Sequence, residues 1–160
     1  MNYKRLITSL ALPQLAGIIG SLFTASAIST WYATLQRPSF SPPNWLFGPV
    51  WIILYILMGI SAYLVWSAYA KASAGQSRKL KTALWLFWVH LVFNASWSII
   101  FFGLRNPSLA FINIIIIWLL IIILMIKFWP INKWASYLLI PYLLWVSFAS
   151  ALNYFIWYLN

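Results

Sequence analysis

The chain has 160 residues, of which 64% are hydrophobic and only 6% are charged, and it contains no Asp, Glu or Cys. An ordinary soluble domain carries roughly 25% charged residues, so this composition excludes a water-soluble fold. The missing residue types also exclude paired-carboxylate catalysis, Ser-His-Asp triads, carboxylate proton relays, disulfides and thiolate metal sites. We therefore expect no metal site, and the ten basic residues indicate membrane topology and lipid contact rather than nucleic-acid binding.

Five apolar runs are each long enough to cross a bilayer, which takes about 20 residues of helix. Most of the connections between them are short, which favours antiparallel neighbouring helices. The sequence therefore predicts an all-α integral membrane protein, a bundle of five transmembrane helices that forms a single domain over residues 1–160. The runs cover residues 6–28, 45–68, 82–102, 108–128 and 135–158.

Small residues recur in the first run, at Gly17, Gly20, Ser21 and Thr24. Such residues let helix backbones approach closely in membranes. The pattern fits packing within the bundle and packing between two copies of the chain equally well.

The first loop, residues 29–44, combines aromatic residues with prolines in the sequence STWYATLQRPSFSPPN. Proline fixes φ and stiffens the backbone. A stiff aromatic loop could close the mouth of the bundle as a lid, or it could lie in the membrane interface, and composition alone leaves both open.

The basic residues are unevenly divided between the two sides of the membrane. With five crossings, the N-terminus, the second loop (69–81) and the last connection (129–134) share one side, and the opposite side carries only Arg37 and Arg105. The positive-inside rule then predicts a cytoplasmic N-terminus and an exterior first loop. The basic residues on the N-terminal side are Lys4, Arg5, Lys71, Arg78, Lys79, Lys81, Lys127 and Lys133.

Polar and aromatic side chains recur at helical spacing inside three of the runs. If these faces turn inward, they enclose an aromatic pocket with a few hydrogen-bonding groups, which suits a flat and largely apolar ligand. The faces are Trp51 and Tyr55 in the second run, His90, Asn94 and Trp97 in the third, and Trp145, Ala149 and Leu152 in the fifth.

Ordinary packing remains an alternative for each of these residues. Trp51 and Trp145 fit a pocket wall and a packed core equally well. Asn94 is also typical of a hydrogen bond between helices. His90 is the one side chain here that titrates near neutral pH, and a single buried His is more typical of a hydrogen-bond donor than of a haem ligand.

Three segments resemble the TspO/MBR family, which includes translocator proteins, also called peripheral benzodiazepine receptors, and tryptophan-rich sensory proteins. They are WYATLQRPSFSPPNWLFGPVWIILYILMGISAYLVW (31–66), FNASWSIIFFGLRNPSLA (93–110) and IPYLLWVSFASALNYFIWYLN (140–160). Together they cover nearly the whole chain in the correct order and spacing.

The resemblance implies a five-helix bundle, commonly a homodimer, that binds porphyrins such as protoporphyrin IX and haem, and other hydrophobic ligands, from the first-loop side. Porphyrin is then a ligand, and no cofactor is required. Some bacterial relatives promote light-dependent porphyrin breakdown, for which Trp51 and Trp145 would be the aromatic partners. The implied pocket contains Trp31, Tyr32, Trp51, Tyr55, Asn94, Trp97, Trp145, Ala149 and Leu152.

The chain departs from the family pattern at four positions. Thr34 and Asn113 stand where carboxylates are usual, and His90 replaces a frequent Gln. A sterol-recognition pattern would need a basic residue after Tyr154, and none follows. Sterol binding at this end is therefore not expected.

These observations favour a membrane receptor or translocator-like protein for tetrapyrroles, involved in their handling or in stress signalling, in a bacterial-type cell membrane. Conventional enzymatic activity is not expected, although photochemical porphyrin degradation is possible. A small solute or multidrug transporter is the alternative, in which His90 would have to replace the missing membrane carboxylate. A purely structural scaffold is the third possibility.

The predicted orientation can be tested with a single engineered cysteine in the first loop, because the chain has no native Cys. A membrane-impermeant thiol reagent should label this cysteine in intact cells. Labelling that appears only after lysis would contradict the exterior placement of the loop.

Overall fold

The computed structural model describes residues 2–68 and 72–160. Five stretches within these ranges are long and apolar enough to cross a membrane. The prediction of an all-α protein with five transmembrane helices is confirmed, and the chain is a multi-pass membrane protein. The helices are α1 (Tyr3–Ile28), α2 (Trp31–Thr34), α3 (Asn44–Ala68), α4 (Ala74–Ser98), α5 (Pro107–Phe128), α6 (Lys133–Tyr137) and α7 (Ile140–Leu159).

Helix α4 begins at Ala74, well before the predicted start at residue 82. The side-chain Oε1 of Gln76 accepts a hydrogen bond from the backbone N–H of Ser73 at 3.0 Å, which caps the helix start. The predicted second loop, 69–81, was therefore too long, because its basic residues Arg78, Lys79 and Lys81 belong to the first turns of α4. Hydropathy misses these turns, although Lys and Arg are good helix formers. Lys71 lies outside the described residues.

The predicted fifth span is interrupted, since α6 ends at Tyr137 and α7 begins at Ile140. Pro141 lies in the first turn of α7, where a missing N–H is tolerated. Further from a helix start the same residue would remove a backbone hydrogen bond and clash with the preceding turn. Proline therefore sets where the long helix can restart.

Helix α4 continues as a π-helical turn over Ile99–Gly103. The backbone N–H of Leu104 donates to the carbonyl of Ile99 at 2.8 Å, which closes the wider turn. Arg105 then adopts a positive φ of 53°, and Pro107 starts α5. A π-turn shifts the side chains that follow it around the helix axis. Here it carries the aromatic residues of the turn toward the first loop.

The long helices form a ring in which α1 packs against α3 and α4, and α5 packs against α4 and α7. The ring closes between α3 and α7, and these two helices touch only sparsely. Large apolar side chains such as Leu22, Ile53, Val92, Ile112 and Ile126 point outward. An apolar exterior is what a lipid environment requires.

Glycines bring α1 and α3 into close contact. A Cβ on Gly59 would lie 2.7 Å from the carbonyl oxygen of Ser9 and 2.9 Å from the Cα of Leu10. A Cβ on Gly17 would clash with the ring of Tyr55. Gly17, one of the small residues of the first span, thus packs inside the bundle.

We expect Gly59→Ala to lower stability by about 1–3 kcal/mol, because the clashing atoms belong to the α1 backbone and cannot move aside as a side chain could. The matched control is Gly48→Ala in the same helix, where a Cβ meets nothing within 4 Å. Melting temperatures in detergent micelles measure the difference. Equal melting temperatures for the two variants would contradict the close approach.

Candidate functional site

A cavity of about 570 Å³ opens inside the bundle at the first-loop side. All five transmembrane helices contribute to its wall, together with Tyr32 of α2. Eight of the residues that the sequence singles out line this cavity: Tyr32, Trp51, Tyr55, Asn94, Trp97, Trp145, Ala149 and Leu152.

Helical spacing explains how these side chains come together. On α3 and on α7, lining residues recur at intervals of three or four positions, so each helix presents one continuous face. The sparse contact between α3 and α7 leaves room between those faces. The cavity is therefore built into the fold, since two facing helices stand apart at the loop end.

A chain of hydrogen bonds crosses the bundle beneath the cavity. The Tyr55 hydroxyl donates to Asn94 Oδ1 at 2.9 Å, and Asn94 Nδ2 donates to the Tyr142 hydroxyl at 2.8 Å. His90 Nε2 lies 2.8 Å from the same hydroxyl. Because unpaired polar groups are costly inside a bilayer, this network explains why polar residues are tolerated at this depth.

Aromatic rings pack along the cavity wall. The ring of Trp51 stacks on Tyr55 with centroids 5.4 Å apart and meets Tyr142 edge-on at 6.1 Å. On the opposite wall, Trp97 stacks on Phe101 of the π-turn at 5.0 Å. Such contacts fix ring orientations, so the flat faces stay presented to the cavity.

A second hydrogen-bond chain holds Trp97 in place. Its indole N–H donates to Asn153 Oδ1 at 3.0 Å, and Asn153 Nδ2 donates to the carbonyl of Pro107 at 2.7 Å. Trp145 differs, because its buried indole N–H has no hydrogen-bond partner among the residues that the structure describes.

The first loop lies over the cavity, which favours the lid interpretation. The backbone N–H of Gln36 donates to Asn160 Oδ1 at 2.9 Å, and Asn160 Nδ2 donates back to the Gln36 carbonyl at 3.0 Å. Phe40 packs edge-on against Phe148 and Phe155 of α7. The loop is thus fastened to the end of α7.

Arg37 is the cation of this loop, and it lies at the cavity rim. Its Nη1 donates to Asn44 Oδ1 at 3.2 Å, and its guanidinium lies 5.5 Å from the centroid of the Tyr32 ring. Burial raises the pKa of Tyr32, and the neighbouring Arg37 opposes that shift. Tyr32 therefore stays protonated at neutral pH. Both Asn44 and Tyr32 line the cavity, whose described wall carries no charged side chain.

Trp31 and His90 are not among the residues that line the cavity. Trp31 packs edge-on against Phe101 with centroids 5.7 Å apart, so it supports the wall from behind. His90 is fully buried and lies behind Tyr142. Helical spacing correctly predicts that His90 lies on the same helix face as Asn94. It does not predict that the cavity ends at Asn94, before it reaches His90.

The α1 face of the wall was missed from the sequence. Gln14, Gly17, Ser21 and Thr24 line the cavity, although they were interpreted only as packing residues or not singled out. Ser21 and Thr24 donate to backbone carbonyls of their own helix. Small side chains, and hydroxyls that bond to their own helix, produce no aromatic or polar stripe in the sequence. No sequence signal therefore marked this wall as a binding surface.

The two positions where the resemblance leads one to expect carboxylates make local hydrogen bonds instead. The Thr34 hydroxyl donates to the carbonyl of Trp31 at 2.7 Å, which stabilises α2. Asn113 Nδ2 donates to the carbonyl of Phe93 at 3.2 Å, which joins α5 to α4. Both residues thus make structural contacts, and Asn113 Oδ1 is buried without a partner among the described residues.

Comparison with known proteins matches residues 9–159 to the TspO/MBR family. The chain is 42% identical over 160 residues to the tryptophan-rich protein TspO of Archaeoglobus fulgidus, covering 100% of this chain and 99% of that protein. It is 37% identical over 145 residues to the translocator protein of Homo sapiens, covering 91% and 83%, respectively. It is also 37% identical over 145 residues to protein CrtK of Rhodobacter capsulatus, covering 91% and 86%. By this similarity over nearly its full length, the chain belongs to the TspO/MBR family.

Proposed function

We propose that this protein binds porphyrins, such as protoporphyrin IX or haem, and other flat hydrophobic ligands in the cavity under the first loop. It would act in tetrapyrrole handling or stress signalling. The observation that carries the proposal is a wall of aromatic rings without charged side chains, closed by a loop that has a single cation at the rim.

The size of the cavity supports a ligand of this class. Sites for drug-sized molecules enclose roughly 300–1,000 Å³ and are lined mostly by apolar and aromatic groups with a few polar ones. The cavity, at about 570 Å³, lies within that range. Flat π-systems gain additional energy from offset or edge-on contacts with Trp and Tyr rings.

One group at the rim suits the polar substituents of such a ligand. Arg37 at the rim can pair with a propionate carboxylate that reaches toward water. The ligand would therefore lie with its apolar body among the rings and its carboxylates at the loop.

The proposal includes a photochemical component, in which a light-excited porphyrin takes an electron from Trp51 or Trp145. Both indoles line the cavity. The protein would supply electron donors and exclude water. Conventional hydrolytic or thiol chemistry is not part of the proposal, because the chain has no Asp, Glu or Cys.

The transporter alternative receives less support from the geometry. It needs His90 in the substrate path as the proton-coupling group. His90 is fully buried behind Tyr142 and does not line the cavity. The cytoplasmic N-terminus, the bacterial-type membrane and the homodimer stay predictions.

Filling the cavity should weaken ligand binding. We expect Ala149→Phe to weaken protoporphyrin IX binding roughly tenfold or more, because an overpacked site costs about 1–3 kcal/mol. Quenching of tryptophan fluorescence during a porphyrin titration in nanodiscs measures the Kd. The matched control is Ala11→Phe, at an exposed position on the outer face of α1 that does not line the cavity.

Three results are informative in this titration. Tight binding by wild type and Ala11→Phe, with weak binding by Ala149→Phe, supports the cavity as the site. Equal affinities for all three would move the site elsewhere. The absence of saturable quenching in wild type would favour the scaffold interpretation.

The role of Arg37 can be separated from its contribution to loop structure. We expect Arg37→Gln to weaken protoporphyrin IX binding about two- to fivefold, the range for an exposed ion pair of about 0.5–1 kcal/mol. Binding of the dimethyl ester, which has no carboxylate, should change little. An equal loss for acid and ester would show that Arg37 acts through the loop alone.

A further inference from the structure

The Tyr142 side chain occupies an unusual position between a tryptophan and a histidine. It is fully buried, its ring meets Trp51 edge-on at 6.1 Å, and its hydroxyl lies 2.8 Å from His90 Nε2. Trp51 lines the cavity, whereas Tyr142 and His90 do not. The Tyr142–His90 pair therefore lies outside the wall that a ligand in the cavity would touch.

The direction of each hydrogen bond follows from the network. Asn94 Oδ1 accepts from Tyr55, which orients the amide so that Nδ2 donates to the Tyr142 oxygen. The Tyr142 hydroxyl then has its own proton left to donate, and His90 Nε2 is the acceptor within reach. The remaining His90 proton belongs on Nδ1, which has no partner among the described residues.

We propose that Tyr142 and His90 form a redox-active pair that returns an electron to Trp51 after a photo-oxidant in the cavity has removed one. The proposal deepens the photochemical function proposed above and rests on it for the natural oxidant, a light-excited porphyrin. Tyr142 and His90 would be positioning and electron-supplying residues, since neither touches the ligand.

The step balances in electrons and protons. The photo-oxidant gains one electron, and Trp51 loses it and becomes a radical cation. Tyr142 then transfers one electron to Trp51, its O–H bond breaks, and the proton forms a new N–H bond at His90 Nε2. Trp51 is restored, Tyr142 is left as a neutral phenoxyl radical, and the positive charge resides on the imidazolium of His90.

A proton acceptor is what makes this transfer feasible. A phenol that loses an electron becomes a strong acid, and its proton must move to a neighbouring base for the neutral phenoxyl radical to form. An acceptor at 2.8 Å lies within the range of about 2.6–3.2 Å for direct proton transfer. Imidazole is the basic group bonded to the Tyr142 hydroxyl, whereas Asn94 contacts that hydroxyl through an amide N–H.

Tyr55 provides an internal contrast. It is closer to Trp51, with ring centroids 5.4 Å apart, and it is also buried. Its hydroxyl, however, donates to the amide oxygen of Asn94, which is not a base. Proximity alone would favour Tyr55 as the electron donor, whereas proton transfer favours Tyr142.

The test is a flash-quench experiment on the full chain in nanodiscs. A ruthenium polypyridyl sensitiser with a sacrificial electron acceptor oxidises tryptophan without any porphyrin, and electron paramagnetic resonance identifies the radical. We expect a tyrosyl signal in wild type and its loss in Tyr142→Phe and Trp51→Phe. His90→Gln should reduce the signal at least tenfold, because an amide cannot take up the proton.

A measurement on the wild-type protein covers the case in which a variant fails to fold. His90 is the single histidine of the chain, so ¹⁵N-histidine labels one site. The tyrosyl signal should then show hyperfine coupling to that nitrogen. An uncoupled tyrosyl signal, an unchanged signal in Tyr142→Phe, or an unchanged signal in His90→Gln would each overturn the pair.

The same preparations separate this proposal from the proposed function. Illumination with protoporphyrin IX in place of ruthenium tests the natural oxidant. A tyrosyl signal with ruthenium but none with porphyrin would sustain the pair and reject porphyrin photochemistry. Porphyrin photochemistry that proceeds at equal rates in wild type and Tyr142→Phe, with no tyrosyl signal from either oxidant, would reject the pair alone.

Discussion

The absence of water from the bilayer core governs this structure, because a polar group there is costly unless it finds a partner within the protein. Asn94 meets that requirement for three helices at once, since its amide bonds Tyr55 of α3 and Tyr142 of α7 from its own position on α4. Individual hydrogen bonds between membrane helices contribute about 0.6 kcal/mol on average. Replacing Asn94 with an apolar residue would leave the hydroxyls of Tyr55 and Tyr142 without this partner, at a cost of about 1–3 kcal/mol each.

The same amide separates the bundle into two levels. Helices α3 and α7 barely touch, so Asn94 bridges a gap that side-chain packing does not close. Toward the first loop, the gap remains open and is walled by aromatic rings. Toward the N-terminal side, it is filled by Met58, Phe87 and their neighbours in the main core. One polar residue thus forms both the floor of the cavity and the top of the core.

Much of this arrangement could be predicted from the sequence, and the exceptions have physical reasons. Hydropathy predicts five crossings because lipid demands long apolar helices, but it does not see helical turns that extend into water, such as the start of α4. Helical spacing predicts that Asn94 and His90 share one helix face. It does not predict which of them reaches the cavity, because that depends on where the neighbouring helices converge. Gly17 was interpreted as packing, and it both packs against Tyr55 and lines the cavity.

The paired hydrogen bonds between Gln36 and Asn160 have a consequence for the rate of ligand entry. Asn160 also donates to the carbonyl of Ile156, so the loop cannot lift without disturbing the last turn of α7. Breaking two exposed hydrogen bonds costs about 1–3 kcal/mol, which leaves the loop open in roughly 1–15% of molecules. Association would then proceed through that open minority, and the end of α7 would set the on-rate without touching the ligand.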